Sequence, residues 1–396
     1  MSAPSEMARR EFLRSAGLLA AGAGFWPAVS LRGFAAGQEK APPLGSRETL
    51  DELLEKYRRH QRTGLRAGGP GGGNHIPMTL GALYRLGASP EQMRRYVGHF
   101  NLRPEAKPLD ISGKEALTQE NWRNRLGRPE FLSYLEFFED WMRRTSLETV
   151  LKETVPVLSA GMGGAFAHDL LRLGYAIDRD CSEEIAFSLA GWATSYQPSP
   201  DFEHRGPPVE PDALLSEIVE RTSKLRIELD GGNFGPIAFR LGQVYGSEEF
   251  SGSLKPVRIP DSDPLARISE LILEAFTRTH DFTLLHCLTT CQAARTVLPF
   301  VGDPRKCLSA YWHSACAAYL TVVRARPEIG KDSVAADPSD WREIHSRAAA
   351  GDSDRVSVFE HTVKLTYSCW VESRHYDRDR YRALASREVE NPSRFV

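Results

Sequence analysis

The sequence predicts an all-α fold, built as a single large multi-helix domain. Apolar residues recur at three- and four-residue spacing through most of the chain from Ser46 onward, and the alternation typical of strands is scarce. No fixed repeat period is visible, so a regular solenoid is not expected. With 396 residues, 41% of them apolar, the chain is long enough to bury a sizeable core.

Charge and cysteine usage exclude several classes of protein. The formal net charge is −2 and no long basic stripe is present, so a nucleic-acid partner is not expected. The six cysteines include no CxxC pair, which argues against a zinc knuckle or a redox dithiol. Cys287 and Cys291 are four residues apart, a spacing that in a helix predicts packing rather than a disulfide.

The first 36 residues predict an export signal rather than a part of the fold. Arg9 and Arg10 precede a weakly apolar run over residues 16–31, and a small-x-small sequence suited to cleavage follows at residues 33–35. The apolar run is short and contains a proline, so it is not a convincing membrane span. The pattern is that of a twin-arginine signal peptide, and it predicts a periplasmic or secreted protein. The alternative is an accidental arginine pair before a fraying amphipathic segment.

The predicted organisation is a signal peptide at residues 1–36, a linker at residues 37–45 and an all-α domain at residues 46–396. The twin-arginine translocase, the expected partner during export, carries proteins that are already folded. A cofactor can therefore be loaded in the cytoplasm, where the cell controls which metal is available. Export by this route favours a cofactor.

Eleven segments have the apolar spacing of helices. Ser46 and Ser89 are typical N-cap residues, and Pro90 follows at the first helical position. Proline-rich breaks near residues 197–211 and 255–264 predict surface loops. The predicted helices cover residues 46–60, 89–100, 129–144, 146–158, 163–177, 181–193, 211–225, 264–280, 281–298, 305–323 and 354–373.

Glycine-rich segments do not support a nucleotide-binding domain. GGPGGGNH, residues 68–75, follows no predicted strand, and GMGGAF, residues 161–166, has Phe166 where a third glycine is needed. The sequence contains neither a Walker lysine nor a GxSxG motif. A flavin or nicotinamide domain is therefore not expected.

The histidines are the stronger indication of a site. Neutral imidazole is the commonest protein ligand for metals, although a single buried histidine is more often a packed core residue than a ligand. Of the 11 histidines, five lie among apolar or small residues: His75, His168, His280, His286 and His361.

One predicted helix carries a narrow polar stripe. At 100° per residue, Ser357, His361, Lys364 and Ser368 share one face of the segment at residues 354–373, with Glu360 at its margin. The stripe is either the solvated face of the helix or, if the helix is packed on both sides, the lining of an internal cavity.

If the stripe lines an internal cavity, Lys364 can act there as a metal ligand. The chain has 10 lysines against 40 arginines, so a lysine beside His361 in an apolar helix is unusual here. Burial disfavours the ammonium form, and a neutral amine can combine with carbon dioxide to give a carbamate. The carbamate is an anionic oxygen ligand for a metal that His361 also holds. Arginine cannot replace lysine in this role because it stays protonated.

Four segments resemble, in the same order along the chain, segments of the questin oxidase family. They are NHIPMTLGALYRLGAS (residues 74–89), GMGGAFAHDLLRLGYAID (161–178), HDFTLLHCLTTC (280–291) and EHTVKLTYS (360–368). The resemblance spans most of residues 50–370. Fungal members of that family open anthraquinone rings. They have been described both as Baeyer–Villiger oxidases that use NADPH and as non-haem iron dioxygenases with four histidines and a carboxylated lysine on the iron.

The resemblance implies an oxygenase with a defined ligand set. It suggests that Fe(II) is held by His75, His168, His286, His361 and carbamylated Lys364, which would also be the catalytic residues. His280 remains the alternative to His286. The implied substrates are dioxygen and a small aromatic molecule of the quinone or hydroquinone type. Asn74 and Asp281, which adjoin proposed ligands, are candidates for hydrogen bonds that orient the imidazoles.

Two other functions remain open at this point. One is an NADPH-dependent Baeyer–Villiger monooxygenase, although no nucleotide loop in the sequence supports NADPH binding. The other is a non-catalytic periplasmic helical binding protein whose histidines are structural. Geometry separates this last function from the metalloenzyme, because ligands of one ion lie roughly 2 Å from it and cannot be scattered by more than about 10 Å.

Overall fold

The described part of this computed structural model consists of sixteen α-helices and their connections, and it contains no β-sheet. Within it, β-type pairing is limited to two isolated bridges. The all-α prediction is therefore confirmed. The predicted signal peptide and the linker up to residue 42 lie outside the described residues. The structure describes residues 43–58, 75–99, 116–162, 164–225, 237–322, 339–352 and 354–393.

The helices are numbered α1 to α16 in chain order, and none of those described is both long and apolar enough to cross a membrane. The first eight are α1 (Arg47–Tyr57), α2 (Ile76–Arg85), α3 (Pro90–Gly98), α4 (Phe131–Arg144), α5 (Leu147–Leu158), α6 (His168–Asp178), α7 (Ser182–Thr194) and α8 (Pro211–Arg221). The remaining eight are α9 (Ile237–Tyr245), α10 (Glu248–Ser251), α11 (Ala266–Thr279), α12 (Phe282–Val297), α13 (Pro304–Val322), α14 (Trp341–Ala350), α15 (Val356–Glu372) and α16 (Arg378–Glu390).

Five helices, namely α2, α9, α10, α14 and α16, are not among the predicted segments. Helix α2 has only ten residues, eight of which are buried by packing against other helices. Helix α16 has the opposite composition, because RDRYRALASREVE is dominated by charged residues. It is held at its start by Asp377, whose side chain accepts a hydrogen bond from the backbone N–H of Arg380.

The proline-rich breaks are loops, as predicted, and they contact each other. The backbone N–H of Val209 donates to the carbonyl of Pro256, and that of Arg258 donates to the carbonyl of Val209. The six cysteines are all buried and free of disulfides. The packing role predicted for Cys287 and Cys291 is therefore confirmed.

Four helices surround the candidate site. Helices α2, α6, α12 and α15 pack in a closed ring in which each contacts the next. At one end of the ring lie His75, His168, His286 and His361. At the other end, Arg85 and Tyr367 both donate to the carboxylate of Asp178, and Gln292 lines the same cavity. The four helices therefore run in the same direction, with their N-terminal ends at the histidines.

The convergence of four helix N-termini has an electrostatic consequence. Each N-terminal end carries a partial positive charge, an effect that is strongest in the first turn. His75 is the N-cap of α2 and His168 is the first residue of α6, whereas His286 and His361 lie in the second turns of their helices. The region therefore favours anionic groups and disfavours protonated imidazole.

A buried histidine away from this ring makes stability depend on pH. His345 of α14 is 1% exposed between Trp341 and Trp370, and neither ring nitrogen has a hydrogen-bond partner among the described residues. Burial lowers the pKa of His345 to about 4. In the unfolded chain its pKa is about 6.5, so the unfolded state binds more protons between these values. His345 therefore contributes a loss of stability as the pH falls from about 6.5 towards 4.

We expect the substitution His345→Phe to weaken this pH dependence. Titration of His345 lowers the wild-type free energy of unfolding by roughly 2 kcal/mol between pH 7 and pH 5, and phenylalanine, which does not titrate, removes this loss. Urea unfolding of both metal-free proteins at the two pH values measures the difference. Equal losses of stability in the two proteins would show that His345 is not the source of this pH dependence.

Candidate metal centre

The four histidines carried over from the resemblance lie together in space. The ring centroids of His75 and His168 are 5.1 Å apart, and those of His168 and His286 are 4.8 Å apart. His361 completes the circuit, 5.2 Å from His286 and 5.0 Å from His75. Residues separated by almost 290 positions in sequence thus form one cluster, as an ion shared by several imidazoles requires.

Lys364 belongs to the same cluster. Its side chain is 2% exposed, and its Nζ lies 3.4 Å from Nδ1 of His75. His361 and Ser368 of the predicted stripe are also buried. Of the two interpretations of the stripe, the internal one is correct, because α15 is packed between α2, α12, α14 and α16.

Three of the imidazoles are oriented by the backbone preceding them. Nδ1 of His168 lies 2.5 Å from the carbonyl oxygen of Ala165, and Nδ1 of His286 and of His361 lies 2.7 Å and 2.6 Å from the carbonyls of Phe282 and Ser357. A carbonyl can only accept, so each Nδ1 carries the proton and each Nε2 has a lone pair. This is the arrangement found for imidazoles that bind metals through Nε2.

The protonation of these rings suits a metal. Burial lowers the pKa of His168 to about 4, with the nearby Lys364 as a further cause. Burial also lowers the pKa values of His286 and His361 well below 6.5, and repulsion between these rings, the neighbouring imidazoles and Lys364 further disfavours protonation. The three imidazoles are therefore neutral at pH 7, which is the form that coordinates metals.

A strained turn positions His168. The sequence predicts a helix from residue 163, but α6 begins at His168 because Ala165, Phe166 and Ala167 all have positive φ values of 44°, 47° and 60°. Residues other than glycine pay roughly 1–2 kcal/mol each for this conformation. The turn brings the carbonyl of Ala165 back to the ring of His168, so the strain is stored where the imidazole must be oriented.

Gly164 allows this turn to approach α7. A Cβ atom at residue 164 would overlap the carbonyl group of Ser195. We expect Gly164→Ala to cost about 1–3 kcal/mol of unfolding free energy and to weaken metal binding, because the turn before His168 must move. Gly98→Ala is the control, since a Cβ there meets no atom within 4 Å. Urea unfolding and metal titration measure both effects, and equal behaviour of the two variants would contradict the role of the turn.

The structure places His286 in the histidine cluster and His280 outside it. His280 ends α11 in a left-handed conformation, and its Nδ1 lies 2.6 Å from Oε1 of Glu388, away from the histidine cluster. Asp281, expected to orient an imidazole, instead caps α12 by accepting the backbone N–H groups of Thr283 and Leu284. That expectation is wrong. Asn74 lies outside the described residues.

Sequence reasoning missed two residues of the site. Glu360 was assigned only to the margin of the polar stripe, yet it is fully buried and its Oε2 lies 3.1 Å from Nδ1 of His75. The hydroxyl of Tyr96, on α3, donates to Oε1 of Glu360 at 2.9 Å. Ligand atoms of His75, Glu360 and His361 lie within 4.8 Å of one another. The position of Glu360 directly before His361 was the available signal.

The residues present fit a transition metal. Nε2 of His286 is buried and has no hydrogen-bond partner among the described residues. A buried polar atom left without a partner costs roughly 1–3 kcal/mol, and coordination of an ion removes that cost. Several neutral imidazoles with a carboxylate nearby are a donor set that suits iron and its neighbours rather than magnesium or calcium.

Fold and site together define a helical protein with a buried, histidine-rich centre of the kind that holds a transition metal. The chain belongs to the Questin oxidase-like family, whose sequence model matches residues 73–369. It is therefore an oxidoreductase. Two relatives carry the name Baeyer-Villiger oxidase. The protein ptaJ of Pestalotiopsis fici is 24% identical over 320 residues, 70% of this chain and 71% of the relative. AgnL3 of Paecilomyces divaricatus is 31% identical over 160 residues, 38% of this chain and 34% of the relative.

Proposed function

We propose that this protein is an O₂-dependent, non-haem Fe(II) oxygenase that cleaves an aromatic ring of the quinone or hydroquinone type. The ligands are Nε2 atoms of His168, His286 and His361, a nitrogen of His75, and a carbamate on Lys364. The observation that carries the proposal is the convergence of these four imidazoles and one amine in a buried cluster.

Lys364 supports the proposal through its charge. An ammonium ion in the cluster would repel a divalent cation, whereas a carbamate attracts it. The carbamate forms when the neutral amine attacks carbon dioxide and releases one proton. The N-terminal ends of α2 and α6 and the three neutral imidazoles make the region suitable for the negative group that results.

The protein orients the imidazoles through its backbone and covers two of them with the side chain of Phe282. The backbone carbonyls of Ala165, Phe282 and Ser357 accept the Nδ1 protons of three imidazoles, so that the Nε2 atoms stay available. Phe282 packs against the rings of both His286 and His361, at centroid distances of 4.6 Å and 4.7 Å. Bound Fe(II) would supply redox chemistry and the coordination position that five protein ligands leave open to dioxygen, while the electron-rich aromatic would supply the electrons.

Oxygen uptake by iron-loaded protein tests the function. The protein is loaded with Fe(II) without oxygen and then mixed with dioxygen and a hydroquinone-type aromatic. We expect dioxygen consumption and a ring-opened product that both disappear after chelation and return with Fe(II). Turnover of the same aromatic by metal-free protein at an unchanged rate would contradict the proposal.

A second candidate is an NADPH-dependent Baeyer–Villiger monooxygenase, which the names of the two relatives favour. The histidine cluster has no part in that chemistry, and the sequence offers no dinucleotide loop. NADPH oxidation coupled to oxygen insertion by metal-free protein would establish it.

The twin-arginine pattern before residue 36 extends the first proposal to a periplasmic or secreted enzyme, loaded with iron before export.

A further inference from the structure

Glu360 has an environment that separates it from the other buried carboxylates. It lies on α15 directly before His361 and is 0% exposed. One carboxylate oxygen faces Nδ1 of His75 and the other accepts the hydroxyl of Tyr96. The carboxylate is therefore held from two sides, and one of its partners is a member of the proposed metal centre.

The four imidazoles differ in the acceptor that faces Nδ1. His168, His286 and His361 each find an acceptor for Nδ1 in a carbonyl three or four residues earlier in the chain. His75 is the N-cap of α2, and its Nδ1 faces a carboxylate oxygen of Glu360 at 3.1 Å. The carboxylate thus replaces the backbone carbonyl that orients the other three imidazoles.

Charge balance gives Glu360 a second role. Four neutral imidazoles bring no charge to a divalent ion, and a carbamate on Lys364 supplies one negative charge. One positive charge would then remain uncompensated in a buried site, which is energetically costly. The carboxylate of Glu360, which contacts His75, supplies the second negative charge.

We propose that Glu360 is a positioning residue of the metal centre, held in place by Tyr96. It fixes His75 with its proton on Nδ1, which directs Nε2 towards the metal, and it completes the neutralisation of a divalent ion without coordinating it. This inference rests on the proposed metal centre. It adds to that centre a His–carboxylate pair of the kind that orients and strengthens metal-binding imidazoles.

Metal titration of Glu360→Gln tests this role. Glutamine keeps the shape and can still accept the proton of His75, but it removes the charge. With Co(II) as the probe, we expect 10–100-fold weaker binding by chelator competition and an unchanged d–d absorption spectrum, because the ligands stay the same. With iron, we expect a higher Fe(III)/Fe(II) reduction potential, because the ferric state loses a compensating charge.

Glu372→Gln is the matched control. Glu372 is also a fully buried carboxylate of α15, but both its oxygens bind Arg295 at 3.0 Å. This variant should lose stability and keep the wild-type metal affinity and potential. Tyr96→Phe, which keeps the charge of Glu360, serves where Glu360→Gln is too unstable to purify. It should weaken Co(II) binding by about tenfold and leave the potential nearly unchanged.

Three results would overturn the inference, each recognisable from the others. Wild-type affinity and potential in Glu360→Gln would show that the carboxylate is not needed. An altered Co(II) spectrum in that variant would show that Glu360 is itself a ligand. Absence of metal binding by the wild-type protein would remove the proposed function together with this inference.

Discussion

The substitution Lys364→Arg is expected to abolish specific metal binding and oxygen-dependent activity. Arginine keeps the positive charge but cannot form a carbamate, so an anionic ligand is replaced by a buried cation. An uncompensated buried charge costs about 3–5 kcal/mol, which corresponds to a loss of roughly 150- to 4,000-fold in affinity. Titration with Co(II) or Fe(II) against a competing chelator measures this loss.

Two further variants keep this prediction decisive. Lys152→Arg is the control, because Lys152 forms an exposed ion pair with Glu148 and lies outside the cluster. Lys364→Ala removes the amine without adding bulk, and added formate or acetate should partly restore metal binding by replacing the carbamate. Wild-type affinity in Lys364→Arg would contradict the carbamate, whatever the activity of the protein.

The substitution His286→Asn is expected to remove metal binding, whereas His280→Asn is expected to leave it intact. The ring of His286 lies against those of His168 and His361, and its Nε2 has no hydrogen-bond partner in the described part of the chain, whereas His280 is paired with Glu388. Loss of a ligand should exceed the 10–100-fold effect typical of residues that only orient ligands, so we expect a loss on the order of 100-fold or more.

Asparagine suits both positions in this comparison. His280 has a φ of 47°, and asparagine tolerates that left-handed conformation better than most residues. His280→Asn should therefore lose the contact with Glu388, and some stability, but not metal. Metal content after gel filtration and chelator competition provide the readout. Loss of metal in His280→Asn with retention in His286→Asn would reverse the assignment.

Helical spacing predicted the fold class but not every helix. Segments such as residues 131–144 of α4 have one buried and one exposed face, so their apolar residues recur with the helical period. Helix α2 is short and almost wholly buried, and α16 is mostly charged, with only a weak helical period. Their conformation depends on caps and on packing against other helices, which sequence spacing does not encode.

Part of the candidate site could be predicted from the sequence. His75, His168, His286, His361 and Lys364 came from the resemblance and from residue chemistry, and the structure brings all five together. Periodicity alone could not tell a solvated stripe from an internal one, because both have the same angular pattern. The burial of α15 results from contacts with four other helices.

The remaining parts of the site depend on distant contacts. Tyr96 and Glu360 are 264 positions apart, and nothing in either segment indicates that they meet. The left-handed turn before His168 could not be predicted, because it is formed by alanine and phenylalanine, which are ordinary helix residues. By contrast, the Asp281 cap marks the boundary between α11 and α12. That cap places His280 outside the helix and could have favoured His286.

Anomalous diffraction at the iron edge, from crystals of Fe(II)-loaded protein, tests the proposed centre most directly. We expect one iron peak at roughly 2.0–2.3 Å from nitrogen atoms of His75, His168, His286 and His361 and from an oxygen of carbamylated Lys364. Glu360 should lie beyond coordination distance, on the far side of His75. A cluster without iron, or an unmodified Lys364 directed away from the ion, would contradict the proposed centre.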